Sequence, residues 1–223
     1  MLFGVRTLVP LFSKCGDRGD SPLIPPFKLR SESMTYFEQD IDVMIDEVGI
    51  QSRVRELGAQ ISRDYAGRDL TLVGVLKGSI FFLADLARAI DLPVRIELMG
   101  VSSYQDRHES SGEVRITHDV STPMGGRHLL LVEDIVDTGL TMQFLLDNLQ
   151  ARQPASLKVC VLIEKPTRAR CKVTLDYRGF VIEDRFVVGY GLDYAERYRN
   201  LPFVGAIRER DLQPHAKIGQ NSD

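Results

Sequence analysis

The sequence is poor in cysteine and has no long apolar run. Its three cysteines among 223 residues, Cys15, Cys160 and Cys171, share no CxxC spacing, so the pattern indicates neither a disulfide framework nor a zinc site. Cysteine usage of this kind favours a reducing cytoplasm. No apolar run approaches the roughly 20 residues that cross a bilayer, so we do not expect an integral membrane protein.

An excess of one charge sign is also lacking. Lys and Arg number 28 against 31 Asp and Glu, which gives a formal net charge of -3. This balance argues against a surface that coats nucleic acid, and any phosphate binding must be local. The chain has neither a GxxxxGK[ST] loop nor a GxGxxG fingerprint, which weakens an NTPase or dinucleotide-binding interpretation. Its 43% of hydrophobic residues can form one substantial core.

The two ends of the chain differ from its middle. Residues 1–38 include "GDRGDSPLIPPF", which is rich in residues that form turns and disordered segments. We expect this part to be either a disordered leader or a misassigned extension upstream of a start at Met34. A folded domain is expected over 39–212, followed by a C-terminal tail over 213–223.

The middle of the chain alternates between helical and extended patterns. Apolar residues at Ile50, Val54, Leu57 and Ile61 have helical spacing, and Asp46 suits the N-cap of that helix. Strands separated by helices of about 10 to 15 residues predict an α/β fold, with a parallel sheet and helices on both faces. The predicted strands are 70–76, 94–101, 113–120, 127–134 and 156–165, and further helices are predicted over 80–90 and 142–152.

The stretch "LLLVEDIVDTGLT", residues 129–141, places a polar turn directly after a buried strand. Ligands of open parallel sheets bind beyond the carboxyl ends of the strands, where the next helix begins. Gly139 lets the backbone approach a ligand, and Thr138 and Thr141 add hydroxyl donors. The turn therefore suits a phosphate group.

Glu133, Asp134 and Asp137 place negative charge beside this predicted phosphate site. A carboxylate about 4 Å from a phosphate costs on the order of 4 kcal/mol at an effective dielectric near 20. A divalent cation or the hydroxyls of a sugar would offset that cost. The simpler alternative is that the three acids are exposed strand ends and a helix N-cap. Their clustering beside "TGLT" favours a phosphorylated ribose and Mg²⁺.

This stretch resembles the signature of type I phosphoribosyltransferases. The other motifs resemble the hypoxanthine(-guanine) branch in its compact bacterial form, from about residue 37 to 210. The resemblance implies the type I fold with a small hood subdomain for the base, built from about 165–210 and the chain start near 39–46. Some relatives have Lys where this chain has Leu140, a position expected to contribute mainly its backbone N–H.

The resemblance also implies which residues bind 5-phosphoribosyl 1-diphosphate. "VGVLKGS" resembles the diphosphate loop, in which the Leu76–Lys77 peptide is often cis, and Ser103 with Tyr104 resembles the tip of a mobile lid. The implied donor-binding residues are Lys77, Gly78, Ser103, Tyr104, Glu133, Asp134, Thr138, Gly139, Leu140, Thr141 and Arg199. Mg²⁺ is implied as the cofactor, with Glu133, Asp134 and Asp193 as its ligands.

Base recognition is implied for three residues of the hood. Lys165 would donate to the 6-oxo oxygen of a purine, Phe186 would stack on the ring, and the Val187 backbone would hydrogen-bond the base edge. A cation opposite position 6 favours a carbonyl and disfavours the amino group of adenine. Asp137 is the candidate general base that takes the purine ring proton.

The resemblance therefore implies purine salvage, with transfer of the phosphoribosyl group to hypoxanthine and also to guanine. Two alternatives stay open. One is a regulator with the same fold, which would need a basic face or a helix-turn-helix segment. The other is an enzyme for another base, such as xanthine. The family also implies a homodimer or homotetramer, and neither nucleic acid nor membrane is expected as a partner.

Overall fold

The structure, a computed structural model, describes residues 41–103 and 114–207 of the chain. Strands and helices alternate through most of these two ranges. They are β1 (Ile41–Ile45), α1 (Glu47–Asp64), β2 (Leu70–Leu76), α2 (Ile80–Ala89), β3 (Val94–Ser103), β4 (Val114–His118), β5 (His128–Val136), α3 (Leu140–Gln150), β6 (Ser156–Glu164), β7 (Tyr177–Val181), β8 (Val187–Val188) and β9 (Val204–Ile207), with a 3-10 turn at Pro166–Arg168.

Six strands form the main sheet, in the order β4-β3-β2-β5-β6-β7. Neighbouring strands from β3 to β7 are parallel, and β4 pairs antiparallel with β3 at one edge. Helices α1 and α2 pack on one face, and α3 packs on the other. The predicted α/β fold is therefore confirmed, with one antiparallel edge strand added to the parallel sheet.

The pleat of β5 divides its side chains between two cores. Leu130 and Val132 pack with α1 and α2, whereas Leu129 and Leu131 pack with α3. Successive side chains of a strand point to opposite faces. The two acids that follow in β5 therefore point to opposite faces of the sheet, although they are neighbours in sequence.

Helix α1 begins where the sequence predicts. The Asp46 side chain accepts a hydrogen bond of 2.7 Å from the Gly49 N–H, which satisfies one of the free donors of the first turn. The predicted apolar stripe faces the core, because Ile50, Val54, Leu57 and Ile61 are all buried.

A second, small sheet has the order β1-β9-β8, with antiparallel pairing throughout. It joins the first described strand of the chain to the last. The range expected for the hood also contains β7, which pairs with β6 in the main sheet. The predicted leader, tail and domain limits fall within 1–40 and 208–223, outside the described residues, and stay predictions. No helix of 41–103 or 114–207 is long and apolar enough to cross a bilayer.

Gly58 allows α1 and α2 to pack closely. A Cβ at this position would lie 2.5 Å from the carbonyl oxygen of Ala89, the last residue of α2. We expect Gly58→Ala to lower the free energy of unfolding by about 1–3 kcal/mol despite the better helix propensity of alanine, because the helices must separate. Urea denaturation measures this change. Ser52→Ala on the exposed face of α1 serves as the control and should change stability by less than about 0.5 kcal/mol. An equally small effect of Gly58→Ala would contradict the close packing.

Candidate active site

The predicted phosphate loop, residues 137–141, connects the end of β5 to the start of α3. Gly139 has a φ of 81°, and a Cβ there would lie 2.8 Å from the carbonyl oxygen of Cys171. The Thr138 carbonyl accepts hydrogen bonds from the N–H groups of Arg170 (2.9 Å) and Cys171 (3.1 Å). These contacts fix the loop against the segment after β6. The first N–H groups of α3 have no acceptor within the helix, so this end suits an anion.

A pocket of about 120 Å³ opens over this loop. Its walls come from the end of β5, the loop and the first turn of α3. Its lining residues are Glu133, Ile135, Val136, Asp137, Thr138, Gly139, Thr141 and Met142. One pocket therefore contains Thr138, Gly139 and Thr141 of the predicted phosphate loop together with two of the three acids.

Asp134 lies on the opposite side of β5 and is buried. A Cβ on Gly78 would overlap the Asp134 carboxylate, so this acid packs directly against the loop between β2 and α2. Its Oδ1 accepts the Ile135 N–H at 2.9 Å. Burial raises the pKa of Asp134 from its ordinary value of 3.8 to about 6. The carboxylate is therefore held in a place that disfavours its charge.

Glu133 adds a second carboxyl with perturbed ionisation. Burial raises its pKa well above the ordinary value, and the neighbouring Asp134 charge raises it further. The residue is partly exposed, but its Oε2 atom is shielded from solvent and has no hydrogen-bond partner among the described residues. Glu133 and Asp134 are thus not the freely exposed strand-end acids of the simpler alternative.

These two carboxylates fit a cation that is shared with a bound substrate. Within 41–103 and 114–207, no group of three or more His, Cys, Asp or Glu side chains could hold a metal ion by itself. Mg²⁺ is usually held by one or two carboxylates together with water and substrate phosphates. A raised carboxyl pKa and an unpartnered Oε2 match that arrangement, because a cation would favour the ionised forms.

Lys165 lies at the end of β6, where the main sheet meets the loop before β8. Its backbone N–H donates to the Val136 carbonyl at 3.0 Å, and its Nζ donates to the Arg185 carbonyl at 2.6 Å. The side chain is buried, and this burial lowers its pKa, while the Asp137 charge acts in the opposite direction. The predicted base-reading cation therefore lies near the predicted general base.

Phe186 and Val187 follow directly after this contact. The Phe186 side chain is 46% exposed, unusually for a large apolar residue, and it packs edge-to-face on Tyr194 with ring centroids 5.5 Å apart. Val187 is buried in β8, where it pairs with Ala206. The hood thus presents an open aromatic face that suits a planar ring.

Arg168 is a contact of the site that the sequence did not reveal. Its NH1 donates to Asp137 Oδ2 at 3.0 Å, and its Nε lies 3.7 Å from Asp184 Oδ2. Asp137 Oδ1 is shielded and has no partner in the described part of the chain. Arg168 thus holds one oxygen of the predicted general base in the free protein. In the sequence, only its position three residues after Lys165 could have indicated that Arg168 contacts the site.

The residues predicted to bind diphosphate lie next to Asp134 rather than next to the phosphate loop. The Leu76–Lys77 peptide is cis, as the resemblance implies. Arg199 donates to the Gly191 carbonyl at 2.8 Å and pairs with Asp193 at 2.8 Å. Both residues affect the ionisation of Asp134, because Arg199 lowers its pKa and Asp193 raises it. Three predicted residues thus act on one another electrostatically.

The lid residues are described only in part. Ser103 is the last residue of β3, and Tyr104 lies outside the described residues. Their predicted role as a lid over the reacting atoms stays a prediction. Leu140, which replaces the Lys of some relatives, begins α3, and its side chain is partly exposed.

The raised pKa of Asp134 predicts that this site costs stability. The folded state binds the carboxyl proton more tightly than the unfolded state, so the cost is full above about pH 6 and disappears below about pH 4. We expect Asp134→Asn to raise the free energy of unfolding by about 1–3 kcal/mol at pH 8 and by much less at pH 4. Urea denaturation at both pH values tests this, with Asp91→Asn on an exposed loop as the control. A variant that is no more stable than the wild type at pH 8 would contradict the buried charge.

Comparison with known proteins places this geometry in a family. The model of the phosphoribosyl transferase domain matches residues 45–195. The hypoxanthine phosphoribosyltransferase of Haemophilus influenzae is 46% identical over 170 residues, which cover 75% of this chain and 95% of the relative. The hypoxanthine-guanine phosphoribosyltransferase of Mycobacterium tuberculosis is 48% identical over 177 residues, which cover 77% of this chain and 88% of the relative.

Solved structures agree with these sequence relatives. A crystal structure of a hypoxanthine phosphoribosyltransferase from Staphylococcus aureus superposes with a TM-score of 0.75 at 42% sequence identity. The match covers 78% of this chain and 96% of that chain. The matched domain includes β5, the phosphate loop and α3. The chain therefore belongs to the phosphoribosyltransferase family.

Proposed function

We propose that the protein transfers the phosphoribosyl group of 5-phosphoribosyl 1-diphosphate to hypoxanthine and guanine, giving the purine nucleoside 5'-monophosphate and diphosphate. The observation that carries this proposal is the position of Asp137. Its carboxylate lines the pocket over the phosphate loop and also lies near Lys165 of the base-reading side. A sugar phosphate and a purine bound on these two sides would meet beside this carboxylate.

The phosphate loop would hold the 5'-phosphate of the donor. The N–H groups at the start of α3 and the hydroxyls of Thr138 and Thr141 would donate to the phosphate oxygens. Glu133 and Asp134 would bind the ribose hydroxyls and a Mg²⁺ ion, with Asp193 near the ion. The ion would supply positive charge beside the leaving diphosphate.

Asp137 would remove the ring proton of the purine as the new bond to ribose C1 forms. Arg168 holds Asp137 Oδ2 and Oδ1 is shielded from solvent, so the carboxylate would turn toward the purine to accept this proton.

Lys165 would select 6-oxopurines. In the free protein its Nζ donates to the Arg185 carbonyl, so the ammonium already lies at the edge of the hood beside Phe186. The 6-oxo oxygen of a purine stacked on Phe186 would accept a hydrogen bond from this ammonium. Adenine would instead place an amino group against the ammonium, leaving two donors without an acceptor.

We expect a homodimer or homotetramer that acts on small molecules in the cytoplasm. The similarity to hypoxanthine(-guanine) phosphoribosyltransferases favours the enzyme over the regulator, and xanthine is the alternative base to test. A spectrophotometric assay of hypoxanthine, guanine, xanthine and adenine with the phosphoribosyl donor and Mg²⁺ separates these cases. We expect turnover with the first two. Absence of turnover with every base would favour the regulator.

Asp137→Asn should impair catalysis more than binding of the donor. The amide cannot accept the purine proton, so we expect kcat to fall by about 10²- to 10⁴-fold, while the Kd of the phosphoribosyl donor changes less than about threefold. Steady-state kinetics and calorimetry measure the two quantities. Similar losses in both would argue against the base role.

Lys165→Gln should impair recognition of the base and leave the donor site intact. Loss of a hydrogen bond from a charged group predicts a rise of about 10- to 100-fold in the KM for hypoxanthine, with little change in the KM for the donor. Arg68→Gln removes a positive charge from an exposed position before β2, outside the pocket that contains Lys165, and serves as the control. An unchanged KM for hypoxanthine would place the base elsewhere.

A further inference from the structure

The turn from Tyr194 to Arg197 has an unusual conformation for its sequence. Tyr194 and Arg197 exchange both backbone hydrogen bonds, each of 3.1 Å, around two central residues. These residues, Ala195 and Glu196, have φ values of 51° and 62°. Turns with two left-handed residues favour Asn-Gly, because side chains are disfavoured there. The surrounding contacts therefore hold Glu196 in a conformation that a glutamate rarely adopts.

The Glu196 carboxylate connects two cations from different parts of the chain. Its Oε2 pairs with Lys77 Nζ at 2.6 Å, and its Oε1 pairs with Arg199 NH2 at 3.2 Å. Its backbone N–H donates to Asp193 Oδ2 at 2.9 Å, which fixes the turn from the other side. Lys77 follows β2 of the main sheet, whereas Arg199 belongs to the segment before β9.

The backbones of these two segments also touch. Gly191 has a φ of 105°, and a Cβ there would overlap the Gly78 carbonyl oxygen. Arg199 in turn donates to the Gly191 carbonyl. The close approach keeps Lys77 and Arg199 within reach of a single carboxylate.

Under the proposed function, on which this inference rests, Lys77 and Arg199 are the cations that bind the leaving diphosphate. A carboxylate and a diphosphate oxygen accept hydrogen bonds from the same donors. We propose that the Glu196 carboxylate engages the two diphosphate-binding cations in the free protein, competes with diphosphate for them, and thereby promotes release of the product.

The exposure of this contact suits a competitor that can be displaced. The side chains of Lys77 and Glu196 are 67% and 66% exposed, so the carboxylate can rotate into water when diphosphate binds. Exposed ion pairs are weak and are easily exchanged. The Lys77 contact also lowers the pKa of Glu196, which keeps the carboxylate charged at neutral pH. Arg199 also contacts the Gly191 carbonyl and Asp193, so its position does not depend on Glu196 alone.

Glu196→Gln tests the competition directly. It removes the charge with almost no change in shape, so the Kd of inorganic diphosphate with Mg²⁺, measured by calorimetry, should fall by about three- to tenfold. Glu196→Asn, which tolerates a positive φ, should tighten binding similarly, which separates the charge effect from backbone strain. Glu47→Gln, at an exposed position in α1, removes the same charge and should leave the Kd unchanged.

Two results would overturn the inference. An unchanged or weaker diphosphate affinity in Glu196→Gln would show that the carboxylate does not compete for the cations. A wild type that binds no diphosphate and turns over no base would instead remove the proposed function, and the role of Glu196 with it. Wild-type turnover and diphosphate binding, together with an unchanged Kd in the variant, would reject the competition alone.

Discussion

Two carboxyl groups at the end of β5, one buried and the other with a shielded oxygen, are the constraint on which the site depends. Asp134 is buried against Gly78, and burial raises its pKa to about 6. Glu133 has a raised pKa and a shielded, unpartnered oxygen. A carboxylate withdrawn from water in this way is stabilised in its charged form by a cation or by hydroxyl donors. A bound ligand would therefore complete the site. In the free protein, the withdrawn carboxylates lower the free energy of unfolding.

The fold produces this constraint through the pleat of one strand. Leu129 to Val132 alternate between the two cores, and the same alternation directs Glu133 toward the phosphate loop and Asp134 toward the loop after β2. Under the proposed function, the two acids would contact different parts of one substrate. A rigid parallel sheet supplies the geometry, and loops at its carboxyl edge supply the chemistry.

The sequence predicts the local structure well and the tertiary contacts poorly. Helical spacing and the Asp46 cap place α1, and continuous apolar runs place β2, β5 and β6. The antiparallel edge β4 and the pairing of β7 depend on distant segments, which local periodicity does not encode. The same limit hides Arg168, 31 positions from Asp137, and Glu196, 119 positions from Lys77. The resemblance of the motifs predicts the site residues, but it does not show which of their side chains contact one another.

Proton release on ligand binding tests the central claim most directly. If the carboxyls have raised pKa values and become fully charged only beside the donor and Mg²⁺, binding at pH 6 must release protons from the protein. Calorimetry of donor binding in buffers with different ionisation enthalpies measures this number. The account predicts clear release at pH 6, which decreases at pH 8 and is smaller in Asp134→Asn, where only the remaining groups and the donor phosphates contribute. Equal release from the wild type and the variant at pH 6 would contradict it.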